Sequence, residues 1–138
     1  KQKTAYEIST RDWSSDVCSS DLKNLTYIEC GDGWYNLLDS LCATIQNQIE
    51  RNAKNNKPNI FFWSQLKEKF SLLRAYCYGA DEYMRGAIEM AESMSGNICE
   101  ISGEKGRVRK QRKGDNGEPI RAWLKTLSDK EAEKEGYL

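Results

Sequence analysis

One amphipathic repeat constrains this chain more than anything else in it. Trp34, Leu38, Leu41, Ile45 and Ile49 recur at steps of three and four residues, the spacing that gathers side chains on one side of an α-helix. Asn36, Ser40, Gln46 and Glu50 fall on the other side. The helix is expected to fade in Arg51–Pro58, a polar stretch. Before it, Leu25–Ile28 reads as a short β-type run, and Gly31-Asp32-Gly33 as a turn in which Asp32 can cap the helix. After it, Ile60–Tyr78 is largely apolar and reads as a β-hairpin, Trp63–Glu68 paired with Leu72–Tyr78. The Lys67-Glu68-Lys69 cluster argues instead for a helical turn there. Asp81 is placed to cap a second helix running to about Ser95. Its buried stripe would be Met84, Ala87, Ile88, Ala91 and Met94, a pattern of core packing far more than of a cofactor box.

The last third has a different character. Ile98–Ser102 leads to Gly103-Glu104-Lys105-Gly106, a basic tract follows over Arg107–Lys113, and Gly114-Asp115-Asn116-Gly117 signals a tight turn. Pro119–Leu127 can return as a strand carrying Trp123. Ser128-Asp129-Lys130-Glu131 has the form of a capping box and opens a short terminal helix. Together these elements predict an α+β fold. Two amphipathic helices would pack on a small antiparallel sheet, and residues 98–138 would add a hairpin and short helix.

Residues Lys1–Leu22 stand apart. They resemble the in-frame translation of an indexed short-read sequencing adapter. Lys1–Ile8 matches one flank codon by codon, and Arg11–Leu22 matches the other. Ser9 and Thr10 fall where the variable index lies. The segment has no apolar run of signal-peptide length, and Asp12, Asp16 and Asp21 would interrupt one. It is expected to be foreign to the fold and to pack against nothing, and the lack of an initiator Met suggests a truncated native start. Removing its three basic and four acidic side chains from totals of 21 and 21 leaves 18 and 17 over residues 23–138. That balance implies no global electrostatic partner. The length of that stretch suits one domain with a modest core.

Candidate chemistry is sparse. The chain has no His, which removes the commonest general base and any Ser-His or Cys-His pair. Asp32, Glu68, Asp81 and Glu82 could pair as carboxylates, but nothing in their spacing requires it. Cys30, Cys42, Cys77 and Cys99 form no Cys-x-x-Cys motif, and without a secretory signal they fit a reducing compartment. No apolar run reaches the ~18 residues of a membrane helix. The glycines of Gly31-Asp32-Gly33-Trp34 precede a helix, where an anion can sit, but Asp32 would repel a phosphate.

Two constellations remain. Cys99-Glu100-Ile101-Ser102-Gly103 has the outline of a zinc knuckle with its second Cys replaced, and Leu127–Glu131 the outline of Cys-x-x-His with both ligands replaced. Cys99, Ser102, Ser128 and Glu131 would make a very poor tetrahedral zinc site, so no metal and no other cofactor is expected. The lobe would keep a zinc-ribbon shape without its metal. The second constellation is the basic tract: Lys105, Arg107, Arg109, Lys110, Arg112 and Lys113 lie within nine residues free of acid. On a hairpin tip they could contact phosphates, with Trp123 stacking on a base. A solvated tip, countered by Glu131, Glu133 and Glu135, is the plainer reading.

A string of motifs carries a resemblance. Glu29-Cys30-Gly31-Asp32-Gly33-Trp34, Leu38, Leu41-Cys42, Gln65–Phe70 with Leu73-Arg74, and Gly79-Ala80-Asp81-Glu82-Tyr83 are similar to a family of small uncharacterised phage and prophage proteins. Members of that family end with Cys-Glu-x-Cys-Gly and Cys-Asp-x-His segments. Here three of the four ligand positions depart from that pattern. The resemblance implies a phage origin, hence a bacterial host cytoplasm, and little about chemistry. The expectation is a non-enzymatic binding or interaction module whose partner is not specified by the sequence, a protein or a nucleic acid, with no membrane. The alternative is nucleic-acid or nucleotide-phosphate binding at the basic tip, including sequestration of a small signalling nucleotide.

Overall fold

The computed structural model describes residues 28–57 and 60–138. The expectations for Lys1–Leu22 and for Leu25–Tyr27 lie outside the described residues. Within them the fold is mixed α+β, with three α-helices, a three-stranded sheet and a two-stranded sheet. No helix among the described residues is long and apolar enough to cross a membrane.

Strand β1 (Ile28–Glu29) leads to a 3₁₀ turn, Asp32–Trp34, and then to helix α1, Tyr35–Lys54. The expected stripe is buried: Trp34 and Ile45 are fully enclosed, and Leu38, Leu41 and Ile49 nearly so. Two expectations need correction. Asp32 does not cap α1; it lies inside the 3₁₀ turn, and Trp34 holds the cap position with no side-chain bond to the helix. Gln46 is not on the solvent side. It is buried one turn beyond Cys42, and its amide donates to Glu50 Oε1 at 3.1 Å. The apolar face is simply wider than a one-in-four stripe.

Strands β2 (Phe62–Lys69) and β3 (Leu72–Tyr78) form the expected hairpin. Phe70 and Ser71 close it with φ of 53° and 68°, both left-handed, as a two-residue hairpin of matching twist requires. The Glu68 carboxylate accepts the Ser71 N–H at 2.6 Å. Lys67-Glu68-Lys69 is therefore strand, because this local turn overrides its helical propensity. Trp63, Leu66, Leu73 and Ala75 alternate onto the buried side. The sheet is not purely antiparallel. β1 pairs parallel to β2, Ile28 opposite Leu66, because α1 intervenes and returns the chain in the same direction.

Helix α2 (Glu82–Ser95) begins where Asp81 caps it, accepting the Met84 N–H at 2.8 Å. The other Asp81 oxygen accepts from Gln48 at 3.0 Å and Asn52 at 2.8 Å, so one carboxylate ties the start of α2 to the end of α1. Burial pulls the Asp81 carboxyl upward, but the hydrogen bonds from Asn52, Met84 and Gln48 prevail and hold it below its ordinary value. Ser95 Oγ and Glu92 Oε1 accept the Leu73 and Ala75 N–H groups. Side chains of α2 thus close the outer edge of β3, which would otherwise offer free donors to another strand. Side chains of α1, α2, β2 and β3 make one apolar cluster.

The C-terminal elements follow the expected bounds: β4 (Arg107–Lys113), β5 (Pro119–Leu127) and α3 (Asp129–Lys134). They enclose a second, smaller cluster of Cys99, Leu127, Ala132 and Tyr137. Hydrogen bonds to backbone carbonyls stitch it to the first. Gly33 N–H donates to the Glu100 carbonyl at 2.7 Å, and Trp34 Nε1 to the Ile98 carbonyl at 2.9 Å. Thr126 Oγ1 donates to the Ser71 carbonyl at 2.7 Å.

Candidate functional site

The glycine turn is occupied by the chain itself. Gly31 N–H donates to Glu100 Oε1 at 3.0 Å, so the anion these glycines hold is an internal carboxylate. A Cβ at Gly33 would overlap the Cys99 carbonyl oxygen; the close approach of two backbones is what the glycine permits. Burial, partly offset by the Gly31 N–H, raises the Glu100 carboxyl, and the nearby Glu68 adds to the rise. Cys30 beside it is pushed up to about 12 by burial and then by Glu100, Asp32 and Glu68. That thiol is a poor nucleophile.

Cys99 is different. It is fully buried, and burial would raise its thiol. Hydrogen bonds from the Ser102 hydroxyl and from the N–H groups of Ser102, Ser128 and Ile101 outweigh that and lower it. The Ser102 N–H lies 3.5 Å from the sulfur. Ser128 Oγ accepts the Glu131 N–H at 3.3 Å, the cap expected of it, while the Glu131 carboxylate takes Lys134 Nζ at 2.8 Å. Cys99, Ser102 and Ser128 are thus brought together by hydrogen bonds around one sulfur. The Glu131 carboxylate is engaged with its own helix. Among the described residues no three His, Cys, Asp or Glu side chains converge as a metal site.

The basic tract divides into two kinds of residue. Arg109 is a correction: it is 5% exposed, with Nη2 2.5 Å from Asp129 Oδ1 and its guanidinium donating to the Leu127 carbonyl. A single strand position buried under α3 decides this. Arg112 donates to the Glu135 carbonyl at 2.6 Å and lies 5.2 Å over the Tyr137 ring. Arg107 leans on Asp129 at 3.9 Å. These three fasten β4 to α3 and the C-terminus. Lys105, Lys110 and Lys113 stay exposed, and Trp123 is 70% exposed.

A feature the sequence reading missed lies between α1 and α2. Leu37 and Leu41 on one side, and Ala87, Met90, Ala91 and Met94 on the other, line a cleft of about 380 Å³ rimmed by Asn36, Ser40 and Thr44. Met94, expected in the core, is 44% exposed here, and Met90 is 65% exposed; Ser95 takes the buried place at the end of α2. Among the described residues no charged side chain lines this cleft. The signal was present in the sequence. Met84, Ala87, Ile88, Met90, Ala91 and Met94 are more apolar positions than one helix face can bury against a small sheet, so a second apolar face was implied.

Comparison of the chain with protein-family models, curated proteins and solved structures gives no match in any of the three.

Proposed function

We propose that this chain is a phage-type accessory protein, acting as a non-enzymatic interaction module in the host cytoplasm. The α1–α2 cleft takes apolar side chains of a partner protein. The observation that carries this is the pair of solvent-exposed methionines, Met90 and Met94, one helical turn apart on the wall of an uncharged cleft. Methionine side chains are unbranched and polarizable, and recur at surfaces that adapt to apolar partners. The flanking Ala87 and Ala91 let a partner approach the α2 backbone closely. The phage assignment rests on the motif resemblance and on nothing in the fold. The absence of His and the internal engagement of the Asp81, Glu131 and Asp129 carboxylates support the non-enzymatic part.

The test is selection of a displayed peptide library on the chain, with counter-selection on the double variant Met90→Glu, Met94→Glu. The expected result is peptides with apolar residues at helical spacing that bind the parent and lose binding to the variant. Peptides that bind both proteins equally would overturn the assignment to the cleft.

A further inference from the structure

We infer that the β4–β5 ribbon binds single-stranded nucleic acid, with Trp123 as its stacking side chain and Lys110, Lys113 and Arg121 as its phosphate contacts. The first ground is charge. Between Arg107 and Leu127 the chain carries seven cations and two carboxylates, Asp115 and Glu118, while the rest of the sequence carries 14 cations and 19 carboxylates. Four of those cations are engaged: Arg107 and Arg109 with Asp129, Arg112 with the Glu135 carbonyl, and Lys125 with Glu135 at 3.2 Å. Among the described residues no carboxylate pairs with the other three. The ribbon thus has a structural set of cations that fixes it to α3, and a free set that faces solvent.

The second ground is the geometry around Trp123. The register slips between Arg109 and Gln111. Arg109 faces Lys125 and Gln111 faces Arg121, so Lys110 alone opposes Ala122, Trp123 and Leu124. Such irregularities re-aim side chains out of a ladder. Here the indole is left 70% exposed, a rare state for so large an apolar group. Its backbone is nonetheless held, because Tyr137 Oη donates to the Trp123 carbonyl at 2.9 Å. Tyr137 is itself buried and covered by Arg112 and Lys125. An open indole on a ribbon that also carries three unpaired cations is the combination that binds unpaired bases: the ring stacks on a base face while the cations meet the backbone. Bases in a duplex already have both faces stacked, so the indole selects the single strand.

The experiment is fluorescence anisotropy of labelled oligothymidylate and oligouridylate, and of a duplex, titrated with the full chain over a range of salt. Single strands are expected to bind more tightly than the duplex, the DNA and RNA arms showing whether the 2′-hydroxyl is read. Trp123→Ala is expected to weaken binding about tenfold with an unchanged salt slope, since stacking releases no counterion, and Trp123→Phe to recover most of the loss. Lys110→Gln with Arg121→Gln is expected to flatten the log–log salt slope by about 1.4, some 0.7 for each phosphate contact removed. Lys54→Gln, an equal exposed charge at the end of α1, serves as control and should change neither. No binding at low salt, equal affinity for the duplex, or a Trp123→Ala protein that binds like the parent would each overturn the inference. All of the substituted side chains are exposed, so loss of fold is not a competing explanation. The outcome is independent of the α1–α2 cleft.

Discussion

Phe70 and Ser71 hold left-handed backbone angles without being glycine or asparagine, a conformation that costs on the order of 1–2 kcal/mol per residue. Phe70 is 61% exposed, so its side chain contributes little burial in return. Phe70→Asn should therefore stabilise the protein by about 0.5–1 kcal/mol, read as a higher denaturant midpoint at constant slope. Cys30 makes a pH-dependent contribution. Its unfolded thiol ionises around 9.0, its folded one at about 12. The folded state keeps the proton that the unfolded state releases, so stability present below 9.0 is lost as pH rises toward 12. Cys30→Ser should flatten the alkaline limb of the stability–pH curve relative to the parent, and Cys30 should resist alkylation that modifies an ordinary exposed thiol. Neither residue's state was legible in the sequence. The strain at Phe70 follows from hairpin closure, and the Cys30 shift from burial first and then from Glu100, Asp32 and Glu68, an environment that only the fold assembles.

Most elements were legible because their causes are local. The α1 stripe, the Asp81 cap, the Gly114–Gly117 turn and the Ser128 cap are each read within a few residues, and their elements end close to where those signals sit. What was not legible depends on distant partners: the parallel β1–β2 pairing and the burial of Arg109 against Asp129 and the Leu127 carbonyl. The Asp81 cap gives an element-scale prediction. Asp81→Ala removes the acceptor for Met84, Gln48 and Asn52 together, and should cost about 1–2 kcal/mol in chemical denaturation. Because that carboxyl is held low, its contribution is present above its ordinary value of 3.8 and is lost as pH falls below it. Leu41→Ala, at the centre of the α1 stripe and 4% exposed, should cost roughly 2–5 kcal/mol. A change under 1 kcal/mol would contradict its place in the core.

The molecule has two apolar clusters of unequal size, joined by the Glu100 and Thr126 hydrogen bonds. The smaller one has four buried apolar residues and leans on ion pairs at the surface, which contribute little in water. Native-state hydrogen exchange should find β4–β5 opening at lower free energy than α1 and β2–β3. The proposed functions follow that division, an apolar cleft on the larger cluster and a charged ribbon on the smaller. The measurement that tests the central proposal most directly is the backbone amide NMR spectrum of the chain titrated with a peptide selected on it. The expected shifts are concentrated at residues 36–44 and 87–94 and absent in the Met90→Glu, Met94→Glu protein, with β4 and β5 unmoved. Shifts centred elsewhere, or unchanged in the double variant, would contradict it.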